Sequence, residues 1–253
     1  MKLLIDIGNS RIKWAAKAYD AFEPGAPFAW KAETAQPAVG LEAEFARHWG
    51  HLSEVAGVWV VNVAGNEIGD RVGHWCRQAR GVVPRFVHSA PAAHGIVNRY
   101  RDPAQLGADR FAAMVGARSE HEGPFCVVDC GTALTVDAVN AQGEFVGGVI
   151  SPGLQLMRQA LSRGTQALRD SDGDGAETFP RDTRSAIAAG TVHALIGCIE
   201  HAVGCYRSEL GGDPLCLLTG GEAAVVRGRL AIPHRFEPHL VLKGLAVITE
   251  GTP

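Results

Sequence analysis

The sequence lacks most of the signatures that announce a chemistry at a glance. Its six cysteines, Cys76, Cys126, Cys130, Cys198, Cys205 and Cys216, form no C-x-x-C pair, and its ten histidines form no cluster with zinc spacing. Zinc-ribbon and dithiol-redox functions therefore drop out. The cysteines stand mostly in apolar stretches, as buried free thiols do, so a secreted disulfide framework is not expected. No N-x-S/T acceptor is present. Asp6 interrupts the opening apolar run Leu3-Leu4-Ile5, so no signal peptide is expected there. No stretch approaches the roughly 18 apolar residues of a membrane span. There is no G-x-x-x-x-G-K, no G-x-G-x-x-G after a strand and no G-x-S-x-G, which sets aside the P-loop, Rossmann and α/β-hydrolase routes to function. Excess charge of one sign is missing too: 24 basic against 27 acidic residues leave a net charge of −3. Such a chain has no field to draw nucleic acid or an anionic membrane. A cytoplasmic protein with neither partner is expected, and a small anionic substrate must be attracted by local dipoles and a few placed cations.

What remains is the material of a soluble globular protein: 253 residues, 46% of them hydrophobic, enough for one or two cored domains. The 31 glycines are spread along the chain rather than gathered in a linker. Hydrophobic periodicity gives a strand over 3–7, a turn at 8–10 and a return strand over 12–16. A helix over 41–52, a strand over 55–63, a helix over 68–75, a short strand at 85–88, a loop over 98–105 and a helix over 110–118 follow. Residues 119–124 are polar and end in Gly-Pro, which marks a domain boundary. The second half opens as the first does, with strands over 125–129, 134–139 and 145–150. A long helix over 187–203, a strand over 215–218 and a helix over 240–248 complete it. The expectation is an α/β protein of two domains, 1–118 and 119–253, that share an architecture.

Self-similarity is the informative feature. Leu4-Ile5-Asp6-Ile7-Gly8-Asn9-Ser10 matches Val127-Val128-Asp129-Cys130-Gly131-Thr132-Ala133, 123 residues later. Each copy is a buried strand, an Asp, one residue, a Gly, an amide or hydroxyl residue, and a returning strand. A carboxylate at a strand end can hold magnesium directly or through water, because that ion keeps several waters and takes other ligands from substrate phosphates. The glycine lets backbone N–H groups approach phosphate oxygens. Two such turns across a cleft could grip a triphosphate. One Asp-x-Gly alone is ordinary turn chemistry; two copies, one per half and each flanked by apolar strands, are not.

Other candidates have plainer readings when taken singly. Lys13, in the first return strand, is either a snorkelling surface lysine or a cation for the β- and γ-phosphates. Asp109 precedes the apolar helical face of Phe111, Met114 and Val115. It is either a helix cap or a general base whose carboxylate the helix dipole favours. Arg110 suits an anionic or amide-bearing substrate, or a surface ion pair. The apolar stripe of the helix near 187–203 is core or dimer interface. Asp170-Ser171-Asp172-Gly173-Asp174-Gly175 resembles the start of a calcium loop, but Arg181 stands where its twelfth-position Glu belongs, so a solvated acidic loop is expected.

With these residues in view, the two turns resemble the phosphate loops of the acetate/sugar kinase, Hsp70 and actin superfamily, and within it the chain is most similar to type III pantothenate kinases. The likeness is carried by Asp6-Ile7-Gly8-Asn9-Ser10-Arg11-Ile12-Lys13, by Asn98-Arg99-Tyr100 through Pro103 to Gly107-Ala108-Asp109-Arg110, and by Asp129-Cys130-Gly131-Thr132-Ala133 with Thr135 and Asp137. Gly147-Gly148, Ser151-Pro152-Gly153 and Asp182-Thr183 also fit, although the family often has Asn where Asp182 stands. The resemblance implies two RNase-H-like, actin-like ATPase domains with a nucleotide cleft between them, and transfer of phosphate from ATP to pantothenate as the first step of coenzyme A biosynthesis. It implies that residues 6–13 and Thr132 bind ATP, with magnesium held at Asp6 through water. Asp129 would bind a monovalent cation, potassium or ammonium. Asp109 would be the general base, with Tyr100, Gly107, Ala108, Asp109, Arg110 and Thr183 lining the pantothenate site. It also implies a cytosolic homodimer. Two alternatives stay open from the residues alone: a related kinase for another small hydroxy or carboxylate compound, and a non-catalytic regulator that keeps the fold.

Overall fold

The structure, a computed structural model, describes residues 1–19, 21–30, 40–164, 173 and 175–251. Along the chain come β1 (Lys2–Ile7), β2 (Arg11–Ala18), β3 (Ala21–Pro24), β4 (Phe28–Ala29), α1 (Leu41–Trp49), β5 (Gly57–Asn62), α2 (Asn66–Arg80), β6 (Arg85–Phe86), β7 (Ala92–Ala93), β8 (Ile96–Asn98) and α3 (Ala108–Glu120). Then follow β9 (Phe125–Cys130), β10 (Ala133–Val139), β11 (Glu144–Pro152), α4 (Leu154–Gly164), α5 (Thr183–Leu210), β12 (Leu215–Thr219), α6 (Ala223–Val226), β13 (His234–Phe236) and α7 (Leu240–Ile248). The chain divides into two compact units, Met1–Glu120 with His239–Pro253, and His121–Pro238.

In the first unit the sheet runs β3-β2-β1-β5-β6, with β4 also paired to β2. Strands β1 and β2 are antiparallel, whereas β1 and β5 are parallel. Alternation sends Leu3, Ile5, Ile7, Ile12, Trp14, Val58 and Val60 to one face. There they meet Leu41, Phe45 and Trp49 of α1 and Ile68, Val72 and Trp75 of α2. The rings of Phe45 and Trp49 stack at 4.8 Å, and Trp75 meets Trp49 edge-on at 5.5 Å. Helices α3 and α7 pack against β1 and β5 as well.

The second unit repeats the plan: β9 and β10 are antiparallel, β12 is parallel to β9, and the strands run β13-β12-β9-β10-β11. One face, Cys126, Val128, Cys130, Val136 and Leu218, is covered by Val192, Leu195, Ile199 and Val203 of α5. All six cysteines are free thiols. Burial pushes Cys126 and Cys216 up to about 12 and raises Cys130 as well, so these thiols stay protonated and inert.

Two expectations need correction. The boundary at 118/119 assigned residues 239–253 to the second domain, but α7 belongs to the first unit. It crosses α3 at a pair of glycines: a Cβ on Gly116 would lie 2.6 Å from the Leu240 carbonyl oxygen, and one on Gly244 would overlap the Ala112 carbonyl. Lys243 Nζ reinforces the crossing 2.8 Å from a Glu120 carboxylate oxygen. Sequence order gives no hint of such a return. The second correction concerns hydropathy. Residues 183–210 form one helix whose mean hydropathy reaches 1.4 over 18 residues, long and apolar enough to cross a membrane by length and composition. Its Ala, Val, Ile, Leu and Cys content raises that figure, and its Val192, Leu195, Ile199 and Val203 side is core. The acidic stretch weighed as a calcium loop lies mostly outside the described residues.

Gly244→Ala is expected to force α3 and α7 apart and to destabilise the protein by about 1–3 kcal/mol, read as a lower urea midpoint. Helix α5 generates a second prediction. The Asp182 carboxylate accepts from Ser185 N at 2.9 Å and caps the helix. That backbone hydrogen bond holds its carboxyl below the ordinary aspartate range. A lowered folded-state value means stability that is present above the ordinary range and lost as pH falls through the lowered one. Asp182→Ala should therefore lower the thermal midpoint at neutral pH, and the gap from wild type should close as the solution is acidified below about pH 4.

Candidate active site

The first turn is built by strand register. Asp6 is opposite Lys13 on β2 and beside Val61 on β5. These three share the face opposite the Ile5–Trp14 core side. Asp6 is 5% exposed, and Lys13 Nζ lies 3.8 Å from its Oδ2. Ile7 and Ile12 close the hairpin as its last pair, both fully buried in the core. Their side chains therefore face away from any ligand at the turn, and only their backbone is available to one. Gly8 N–H donates to Arg11 O at 3.1 Å, so this amide closes the turn itself. The next amides of the turn are those of exposed Asn9 and half-buried Ser10. Arg11 is exposed.

The second turn has the same build with one residue fewer. Residues 131–133 separate the pair Cys130↔Leu134, whereas 8–11 separate Ile7↔Ile12. Gly131 N–H donates to Ala133 O at 3.1 Å, and Gly153 N–H donates to Thr132 O at 3.0 Å. The shorter turn makes Thr135, not Val136, the partner of Asp129. Thr219 of β12 flanks Asp129 on the other side. Two hydroxyls thus stand beside this carboxylate where the first turn has Lys13 and Val61. Thr135 Oγ1 is buried without a hydrogen-bond partner among the described residues. Gly220, with φ +98°, brings its backbone against Asp129: a Cβ there would overlap both Asp129 Oδ1 and Cys130 O. Sequence reasoning singled out neither Thr219 nor Gly220 as functional; the Thr-Gly-Gly at a strand end was the available signal.

The remaining candidates in the first unit gather at the start of α3. Asn98 is buried; its Nδ2 donates to Pro103 O at 3.0 Å and its Oδ1 accepts from Tyr100 N at 3.1 Å. These bonds shape the loop leading to Gly107. Arg110 is 8% exposed and donates through Nη1 to Tyr100 Oη at 3.0 Å, with its guanidinium 5.7 Å from the Tyr100 ring centre. It is not a surface ion-pair residue. Asp109 sits in the first turn of α3, where its Oδ1 accepts from Arg110 N at 2.8 Å. A Cβ on Gly107 would come within 2.6 Å of that oxygen, so glycine leaves the carboxylate room to fold back. Ala108 is buried as the first residue of α3. In the second unit, Thr183 is exposed at the first position of α5.

The first unit thus brings together Asp6 with Lys13, and separately Tyr100 with Asp109 and Arg110. The second places Thr132 in the turn that follows Asp129. Among the described residues no three His, Cys, Asp or Glu side chains form a metal-binding group. The oxygens that would meet a cation nonetheless fit one. The Asp129 carboxylate and the Cys130 carbonyl lie close together against the Gly220 backbone, and hard oxygens of this kind suit an alkali ion. Asp6 is a single buried carboxylate, matching magnesium's habit of keeping its waters.

Comparison with known proteins places this chain in a family. The model of the type III pantothenate kinase family matches residues 2–204. A type III pantothenate kinase of Azoarcus sp. strain BH72 is 41% identical over 249 residues, covering 98% of this chain and 90% of the relative. One from Aromatoleum aromaticum is 41% identical over 253 residues, covering 98% and 97%. Among solved structures, component A of (R)-2-hydroxyglutaryl-CoA dehydratase from Acidaminococcus fermentans superposes with a TM-score of 0.58 at 15% identity, covering 98% of this chain and 96% of its own. Glucokinase from an Antarctic psychrotroph does so at 0.51 and 11% identity, covering 99% of each. These likenesses show the fold alone: an α/β chain built on two mixed sheets, as in that glucokinase. By its sequence from end to end, the chain belongs to the type III pantothenate kinase family.

Proposed function

We propose that the protein transfers the γ-phosphoryl group of ATP to the primary hydroxyl of pantothenate, giving 4′-phosphopantothenate, and so starts coenzyme A synthesis in the cytoplasm. The observation that carries this reading is the duplicated turn, with an acid on the non-core face of each central strand and a polar neighbour, Lys13 or Thr135, in register beside it. ATP is the phosphoryl donor, and the active protein is a homodimer.

The residues divide the work by chemistry. The amides after Gly8 and the Lys13 ammonium neutralise the phosphate tail, while Thr132 contacts it from the second turn. Asp6 would hold magnesium through water, and Asp129 would hold potassium or ammonium. These ions supply charge neutralisation to the phosphates when bound. Arg110, aligned by Tyr100, takes the anionic or amide end of pantothenate; Gly107, Ala108 and Thr183 complete that site. Asp109 accepts the hydroxyl proton as the alcohol oxygen bonds to the γ-phosphorus. The bond from that phosphorus to the β,γ-bridging oxygen breaks, and ADP leaves with the electron pair. Little covalent work is asked of the protein, so positioning and electrostatics dominate.

A coupled assay of ADP release tests the reading: release should depend on pantothenate, and release at the same rate without it would contradict the assignment. Asp109→Asn is expected to lower turnover roughly 10²- to 10⁴-fold with the fold intact by circular dichroism; near-normal turnover would remove Asp109 from the base role. Replacing potassium by sodium at constant ionic strength should reduce the rate, and equal rates would count against the cation site.

A further inference from the structure

We propose that Trp30 is a positioning residue of the nucleotide site, whose indole N–H fixes the Gly8–Asn9 peptide so that the Asn9 amide faces the phosphates. The inference rests on residues 6–13 being the ATP-phosphate loop. Trp30 Nε1 donates to Gly8 O at 2.7 Å. A peptide group is planar and trans, so its C=O and N–H point to opposite edges. Holding the Gly8 carbonyl toward Trp30 therefore turns the Asn9 N–H to the other side, where Asn9 is exposed. Gly8 N–H is already committed to Arg11 O. The carbonyl is the remaining handle on this residue's backbone. A handle is needed, because glycine accepts either sign of φ and a peptide flip is cheapest there.

Trp30 is delivered to this place by its neighbours. It directly follows β4, which pairs with β2 at Arg11↔Ala29 and Ile12↔Phe28, beside the turn. A two-residue strand has little stability of its own. This one is anchored by Phe28, which is buried, stacks on His48 at 4.4 Å and meets Phe45 and Trp49 edge-on at 6.2 and 5.8 Å. Trp14 Nε1 adds a hydrogen bond to Ala26 O at 3.1 Å, just before the strand. The aromatic core of the first unit thus reaches the phosphate turn through one indole N–H. The second turn has no counterpart at the equivalent carbonyl: Gly153 N–H meets the carbonyl one residue later, at Thr132, 3.0 Å away and next to the Ala133↔Pro152 pair of the β10–β11 ladder.

The test is Trp30→Phe, which keeps an aromatic ring and removes the N–H, measured beside Lys13→Ala. Losing one hydrogen bond that orients a donor should weaken MgATP and MgADP binding by calorimetry roughly five- to tenfold. The KM for ATP should rise in parallel, while the KM for pantothenate and the thermal midpoint without nucleotide stay near wild type. Unchanged nucleotide affinity in Trp30→Phe, with Lys13→Ala weakened, would overturn the clamp and leave the loop assignment standing. Unchanged affinity in both would overturn the loop assignment and the clamp with it. A parallel loss of pantothenate affinity and nucleotide-free stability in Trp30→Phe would reduce Trp30 to a packing residue and overturn the proposal too.

Discussion

The alternation of side chains along a β-strand is the constraint on which the rest of this structure depends. Because neighbours point to opposite faces, Ile5 and Ile7 can anchor β1 in the core only if Asp6 between them faces away from it. The same parity sets Asp129 between Val128 and Cys130. A buried apolar pair thus holds each carboxylate rigidly at a strand end, where a loop would leave it to wander. Moving either acid by one position would bury a charge in the core and empty the site together. Stability and chemistry are coupled here by geometry.

The two halves share this plan yet differ in what stands beside the acid, and one residue of turn length makes the difference. Four residues between Ile7 and Ile12 put Lys13 opposite Asp6; three between Cys130 and Leu134 put Thr135 opposite Asp129. One half therefore presents an ammonium and the other presents neutral oxygens. For a triphosphate and its counter-ions this is a useful asymmetry, since anionic oxygens need cations and a bound cation needs oxygen ligands. Both glycines spend their own N–H on closing the turn, so in the proposed site the following amides would carry the interaction. Trp30 holds the carbonyl of Gly8 in the first turn from outside the hairpin.

Much of this was legible in the sequence because period-two strands and a repeated Asp-x-Gly are local patterns. The strands around Asp6 and Asp129, the helix that starts beside Asp109 and the long helix after Asp182 all stand where periodicity put them. What escaped depends on long-range packing. The return of α7 to the first unit is decided by the Gly116–Gly244 crossing, far apart in sequence. The burial of Arg110 depends on Tyr100 across a loop. The pairing of Thr135 with Asp129 depends on turn length, which a residue-by-residue match of the two copies hides. Strand β4 and Trp30 gave no signal, because two residues cannot display a period. Residues 183–210 reach a spanning helix's hydropathy, yet their Val192, Leu195, Ile199 and Val203 side is core.

The most direct measurement of the central claim is a crystal structure with magnesium and a non-hydrolysable ATP analogue. The account predicts a single triphosphate touched by the amides after Gly8 and by Lys13 on one side, and by Thr132 on the other. A triphosphate bound away from Asp6 and Asp129, or held by one of the two turns alone, would contradict it.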